Sequence, residues 1–311
     1  MKSFPTKSYC FFLQFALLIS ALANPTYSSA EKNRKTDRDI DAIGHRVIGY
    51  PTGRSNWYSL AKEEDLGAQV SAAYEKSVPL LRDSVMETYL DRLGNVIARN
   101  SDTQLPISIR VIDSDDSYAL TLPGGHQYLT RGLLRQLQNE GELAAAIARG
   151  VAHTALRSVT GELTRANLLN LASIPEISVG PGGMANSTAS SSLGIRLADL
   201  DFRRKDESAA DYFGIQYLYK SGYAPECFIS FIEKVWHPAA RNAQAFSPFA
   251  PLQDRLNVLQ KEIREILPAR GGAITDTGAF ESFRKHLANL PPPKPLPTQP
   301  ILIRSDSQEP N

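Results

Sequence analysis

The chain has 311 residues, 42% of them hydrophobic and 22% charged, with a formal net charge of +1. That length supports one large domain or two modest ones with a real core, and the composition is that of a globular protein. A charge so close to zero gives no electrostatic basis for a nucleic-acid partner.

At the N-terminus, Lys2 and Lys7 form a short basic region before an almost wholly apolar run over 10–23 that closes on Ala21, Leu22 and Ala23. This pattern reads as a signal peptide over 1–23, cleaved after Ala23, and places the mature chain in a secreted or periplasmic compartment. The run is too short to span a bilayer comfortably; an uncleaved leader serving as an anchor is the alternative. Cleavage removes Cys10 and leaves Cys227 as the sole thiol, expected to be a buried structural cysteine with no disulfide.

Residues 24–55 are polar with scattered Pro, Ser and Lys, and read as a flexible, irregular arm. From Tyr58 a helix is expected, with Leu60, Leu66, Val70 and Tyr74 on its inward face and Pro79 ending it. Asp83 is placed to cap a second helix whose Val85, Tyr89, Leu90, Leu93, Val96 and Ile97 point inward. Residues 107–112 alternate as a strand. Polar turn residues 113–116 follow, then a strand candidate over 118–122, the tight reversal Pro123-Gly124-Gly125, and a third strand over 127–130. A small sheet therefore lies between two helical regions.

Asn139 is a good N-cap, and Glu142 stands three residues on, the spacing of a capping box. Leu143, Ile147, Val151 and Ala155 make an apolar stripe, and Ala144, Ala145, Ala146, Ala148 and Ala152 keep this helix thin enough for close packing. Arg149 and His153 are four apart and share one face. Residues 175–192 are rich in Gly and Ser and read as a mobile loop. A long helix carrying Glu207, Asp211 and Tyr212 runs from about Leu193 to about Gly222. Pro225, Pro248 and Pro251 punctuate the helical segments that follow, and 291–311 is a Pro-rich disordered tail. The folded domain is thus expected over 56–290.

Several segments, taken in order, carry a family resemblance. They are Asn56-Trp57-Tyr58-Ser59-Leu60 with Glu63, Leu66 and Gly67; Tyr89-Leu90 with Leu93-Gly94; Leu122-Pro123-Gly124-Gly125 and Thr130-Arg131-Gly132-Leu133-Leu134; and Glu140 to Leu143. Glu207-Ser208-Ala209-Ala210-Asp211 with Gly214, the stretch 219–225, and Asp254-Arg255-Leu256 follow. This series resembles the secreted branch of the HtpX-type zinc endopeptidases, metallopeptidase family 48. The resemblance implies an α+β, mostly helical, zincin-like core with a small three-stranded mixed sheet packed on the metal helix.

In such an enzyme two His at i and i+4 and a Glu from a later helix hold zinc, and the Glu after the first His takes a proton from the metal-bound water. Carried over, His153 and Glu207 stand at two ligand positions, and Asp211 at the position that orients a ligand from behind. Arg149 stands where the first His belongs and Gly150 where the general base belongs. Tyr118 and Phe249 replace a further Asn and His of the pattern. Arginine has no lone pair for a metal and stays protonated. Glycine can take no proton, and general-base assistance alone is worth about 10²–10⁴-fold in rate. Zinc is implied by the family but expected to be weak or absent.

An unpaired Glu207 in a pocket shaped for a dication is costly, so an Arg149–Glu207 ion pair is expected in the place of the metal. His45, His126, His237 and His286 show no ligand spacing. The expected function is that of a catalytically impaired relative that binds extended or misfolded polypeptides in envelope protein quality control. Its peptide site would be the edge strand and turn at Leu120, Leu122, Pro123, Gly124 and Gly125. Alternatives are an active zinc metalloendopeptidase with a non-standard site and a structural partner of an active paralogue.

Overall fold

A computed structural model describes residues 37–168, 193–235 and 250–293, the side chains of 168 and 193–202 excepted. The leader, the beginning of the arm, the 175–192 loop, His237, Phe249 and the tail from 294 on lie outside the described residues.

Residues 37–59 form no long helix or strand, yet they are packed: Ile43 and Ile48 enter the core, and the Arg46 side chain is buried against Asp102 at 2.6 Å. Helix α1 (Leu60–Ser77) starts at Ser59, whose side chain accepts from the Lys62 amide. Its buried face differs from the expected one. Glu63, Gly67, Ser71 and Tyr74 are buried, while Leu66 and Val70 are only half-buried. The reason is backbone proximity: a Cβ on Gly67 would stand 2.3 Å from the Pro123 carbonyl oxygen, so α1 lies directly on the Pro123-Gly124-Gly125 turn.

Strand β1 (Leu80–Leu81) precedes α2 (Ser84–Arg99), and Asp83 caps α2 by accepting from the Val85 and Met86 amides. Met86, Tyr89, Leu90, Leu93 and Ile97 face inward; Val85, expected to do so, is exposed, because it is the first residue past the helix start and its turn faces solvent.

Strands β2 (Ser108–Ile112), β3 (Ala119–Leu122) and β4 (His126–Thr130) fall where the alternation placed them. The sheet is mixed, in the order β1-β2-β4-β3, with β2 and β4 parallel and the outer pairs antiparallel. It has four strands where three were expected; β1 is two residues long, too short to show a period of two. The hairpin β3–β4 turns through Gly124 and Gly125, both at positive φ, which a side chain would resist.

Helix α3 (Arg131–Gln136) leads to α4 (Glu140–Leu156). Asn139 caps α4 by accepting from the Glu142 amide at 2.9 Å, and Glu142 reaches back to the amide of Gln138, one residue before the cap. Every residue of α4 except Arg149 and His153 is buried. It is the central helix, packed between the sheet on one side and α6 (Leu193–Lys220) and α7 (Glu226–Val235) on the other. Its alanines and Gly214 of α6 permit the approach: a Cβ on Gly214 would lie 3.1 Å from the Arg149 Cα.

Helix α5 (Ser158–Leu168) follows α4 directly, and α8 (Leu252–Glu265) and α9 (Gly278–Asn289) complete the packing. Cys227 is buried, and burial together with Glu142 and Glu226 pushes its thiol up to about 11.

Candidate functional site

Helices α4 and α6 bring Arg149, His153, Glu207 and Asp211 to one place, and α8 adds Arg255. Each helix presents its pair at i, i+4, so both members point the same way. The Arg149 guanidinium donates through its Nη2 to Glu207 Oε2, and through Nε to Asp211 Oδ1 at 2.9 Å. The expected ion pair is therefore present, but the guanidinium is not bidentate on Glu207. It divides its fork between the two carboxylates of α6.

Asp211 is in turn gripped by Arg255, which donates Nε to Oδ2 at 2.7 Å and Nη2 to Oδ1 at 3.0 Å. His153 Nε2 stands 3.6 Å from Glu207 Oε2. Two guanidinium cations thus balance two carboxylates in a row running from Arg255 to Glu207.

The side chains of Asp211 and Arg255 are 7% and 6% exposed; those of Arg149 and Glu207 are 17% and 18% exposed. At such burial a lone charge would be expensive, and the pairing offsets that cost. Burial pushes the Glu207 carboxyl up, but the Arg149 and His153 charges outweigh it and hold the group well below the usual carboxylate range. Burial likewise opposes the Arg149 charge, and Glu207 and Asp211 overcome it, so the guanidinium is held more firmly protonated than in water.

Gly150 sits one residue past Arg149 and faces a different neighbour. A Cβ there would meet the Gln127 side chain of β4 at 2.6 Å. No carboxylate, hydroxyl or imidazole stands at position 150 to serve as a base.

These residues do not fit a zinc ion. The Glu207 oxygen nearest His153 accepts from Arg149, which offers only N–H donors. Among the described residues, no group of three or more His, Cys, Asp and Glu side chains is arranged to hold a metal. The remaining described histidines are engaged elsewhere or exposed: His126 Nδ1 is 3.0 Å from Ser108 Oγ, His286 Nε2 is 2.8 Å from Asp83 Oδ2, and His45 faces solvent.

The residues read as a peptide site divide into two groups. Strand β3 is at the sheet edge and pairs with β4 alone among the described strands, with Ala119 exposed and Leu120 and Thr121 half-buried. Leu122, Pro123, Gly124 and Gly125 are buried, the last three beneath α1, the Pro106 backbone and the Ile107 side chain. The accessible edge is therefore 119–121.

Two participants were missed by sequence reasoning. Arg255 entered only as a marker of a late helix; its spacing from Asp211 carries no local signal. Gln127 was read as one residue of a strand. The single sequence-level sign was its inward register in an otherwise apolar strand face, where a Gln needs a reason.

Comparison with known proteins follows the same outline. Residues 84–263, more than half of the chain, match the model of Peptidase family M48. The beta-barrel assembly-enhancing protease of Escherichia coli (strain K12) is 27% identical over 197 residues, which cover 59% of this chain and 39% of that protein. The beta-barrel assembly-enhancing protease of Yersinia pestis is 26% identical over 189 residues, 57% of this chain and 38% of that one. A putative beta-barrel assembly-enhancing protease of Vibrio cholerae serotype O1 is 25% identical over 244 residues, 76% and 47% of the two chains. The chain spans less than half the length of these curated relatives.

Proposed function

Because the chain belongs to peptidase family M48, we propose that it is a non-catalytic member of that family, which binds extended or misfolded polypeptides of the cell envelope without cutting them. The observation that carries this reading is the Arg149 guanidinium seated between Glu207 and Asp211. It takes up the lone pairs that a metal would need, while position 150 lacks a base. Either loss alone is severe: without the metal there is no activated water, and without a base there is no acceptor for its proton.

Polypeptide binding needs neither group. An extended chain can add to the free side of β3 through main-chain hydrogen bonds, with side chains falling alternately on the two faces. The relatives named for enhancing β-barrel assembly, and the apolar leader read in the sequence, support an envelope location and unfolded envelope proteins as clients.

The test uses the purified mature chain with reduced, unfolded casein. Retention of casein on the protein, with no fragments after long incubation and no effect of a chelator, supports the reading. Fragments whose appearance a chelator blocks would establish an active zinc endopeptidase with a non-standard site. Absence of both binding and cleavage would leave the structural-partner alternative.

A further inference from the structure

The Gln127 side chain lies where a position-150 side chain would go. Its Cδ, Oε1 and Nε2 stand 2.6, 2.6 and 2.9 Å from the place of a Gly150 Cβ, closer than any real Cβ contact. Gln127 is 2% exposed, on β4 between β2 and β3, so its far end is enclosed. Its Nε2 is buried and has no hydrogen-bond partner among the described residues. A buried amide with an idle donor costs free energy, and such groups are rare enough to require an explanation. The explanation here is space: a glycine on the central helix leaves a gap beside the sheet, and the carboxamide fills it.

From this geometry we infer that Gln127 is a third substitution that closes the former catalytic centre, occupying the volume into which the general-base side chain would project. It rests on the proposed non-catalytic function and deepens it. The two defects of the helix then separate. Arg149 alone keeps the metal out. Without it, Glu207 and Asp211 carry two negative charges against the single positive charge of Arg255, and a histidine at 149 would stand one turn from His153. Gly150 and Gln127 together keep the base out. Restoring the helix motif while Gln127 stays forces this enclosed carboxamide to move, because the new carboxylate and the carboxamide compete for one space.

The experiment compares zinc content, melting temperature and peptide cleavage in the full chain. The variants are Arg149→His, Arg149→His/Gly150→Glu, and that pair with Gln127→Val. Arg149→His is expected to take up about one zinc per chain and to melt higher with zinc than without. The double variant is expected to melt about 5 °C or more below it and not to cleave. The triple variant is expected to recover most of that loss and to cleave in a chelator-sensitive way.

A double variant that melts with Arg149→His, or that cleaves as well as the triple, overturns the role of Gln127. Failure of Arg149→His to bind zinc overturns the separation of the two defects. Zinc-dependent cleavage by the unaltered chain overturns the proposed function itself, a result readable before any variant is made.

Where Gly150→Glu prevents folding, Gly150→Ala gives the same reading. It should lower the melting temperature of the unaltered chain, because Gln127 is in the way. It should raise it when Gln127→Val is present, because alanine is the better helix former. The same sign in both backgrounds overturns the inference.

Discussion

Arg149 behaves as a structural cation bound by two acids, and its removal tests that view at the scale of a single side chain. Arg149→Met should destabilise the fold by about 3 kcal/mol, the order found when one partner of a buried pair is lost. Adding Glu207→Leu should recover most of the loss, since Asp211 keeps Arg255 and no carboxylate is then left unpaired. Denaturant titration of the three chains measures both effects.

One residue before Glu207, Asp206 has the opposite electrostatic situation. Burial pushes its carboxyl up to about 7; the hydrogen bond from the Tyr50 hydroxyl works against this, and the charges of Glu162 and Glu207 add to it. In the unfolded chain the same group titrates near 3.8. Between those values the native state holds the proton and the unfolded state does not, so this group's contribution to stability falls as pH rises from about 4 to about 7. Asp206→Asn should flatten that part of the stability curve, measured as melting temperature between pH 4 and 7.5.

Among elements, α1 and β3 meet at the Pro123 turn, which packs on α4. Gly67 sets how closely α1 lies on the Pro123 turn, and Gly67→Ala should cost about 2–3 kcal/mol, since the Pro123 backbone has no flexible end to move aside. At the sheet edge, Ala119→Lys together with Leu120→Lys should weaken capture of unfolded polypeptide by about tenfold, because edge charge opposes strand addition. Retention of casein binding by that variant would move the binding surface elsewhere.

Sequence periodicity placed β2, β3, β4, α2 and α4 correctly, because each has a strong apolar repeat and a local start signal such as Asp83 or Asn139. It erred on α1. There the buried face is set by the missing side chain at Gly67 and the small one at Ser71, and hydrophobic patterning sees only large apolar side chains. It missed β1 for want of length. The site's acids and His153 were legible from i, i+4 spacing and family likeness. Arg255 and Gln127 were not, since their roles depend on which distant segments meet.

For the whole molecule, the packing of 37–59 shows the same limit. The segment has no periodicity, yet Arg46 donates to Asp102 and Gln216, and the Tyr217 hydroxyl donates to Asp102 as well. This buried network ties the arm to α6 and to the end of α2, so part of the chain that reads as linker belongs to the core. Glu140 plays a similar role at the start of α4, accepting from the hydroxyls of Tyr89, Tyr223 and Thr277 and so joining α2, α4 and the start of α9.

The scaffold keeps the architecture of peptidase family M48, and the proposed function holds that its centre is closed by protein side chains. The most direct test of that claim is the zinc bound by the unaltered mature chain after dialysis against micromolar zinc, read by elemental analysis. The account predicts zinc far below one per chain and a melting temperature that neither zinc nor chelator shifts. One tightly held zinc per chain, with a melting temperature that falls on chelation, would contradict it.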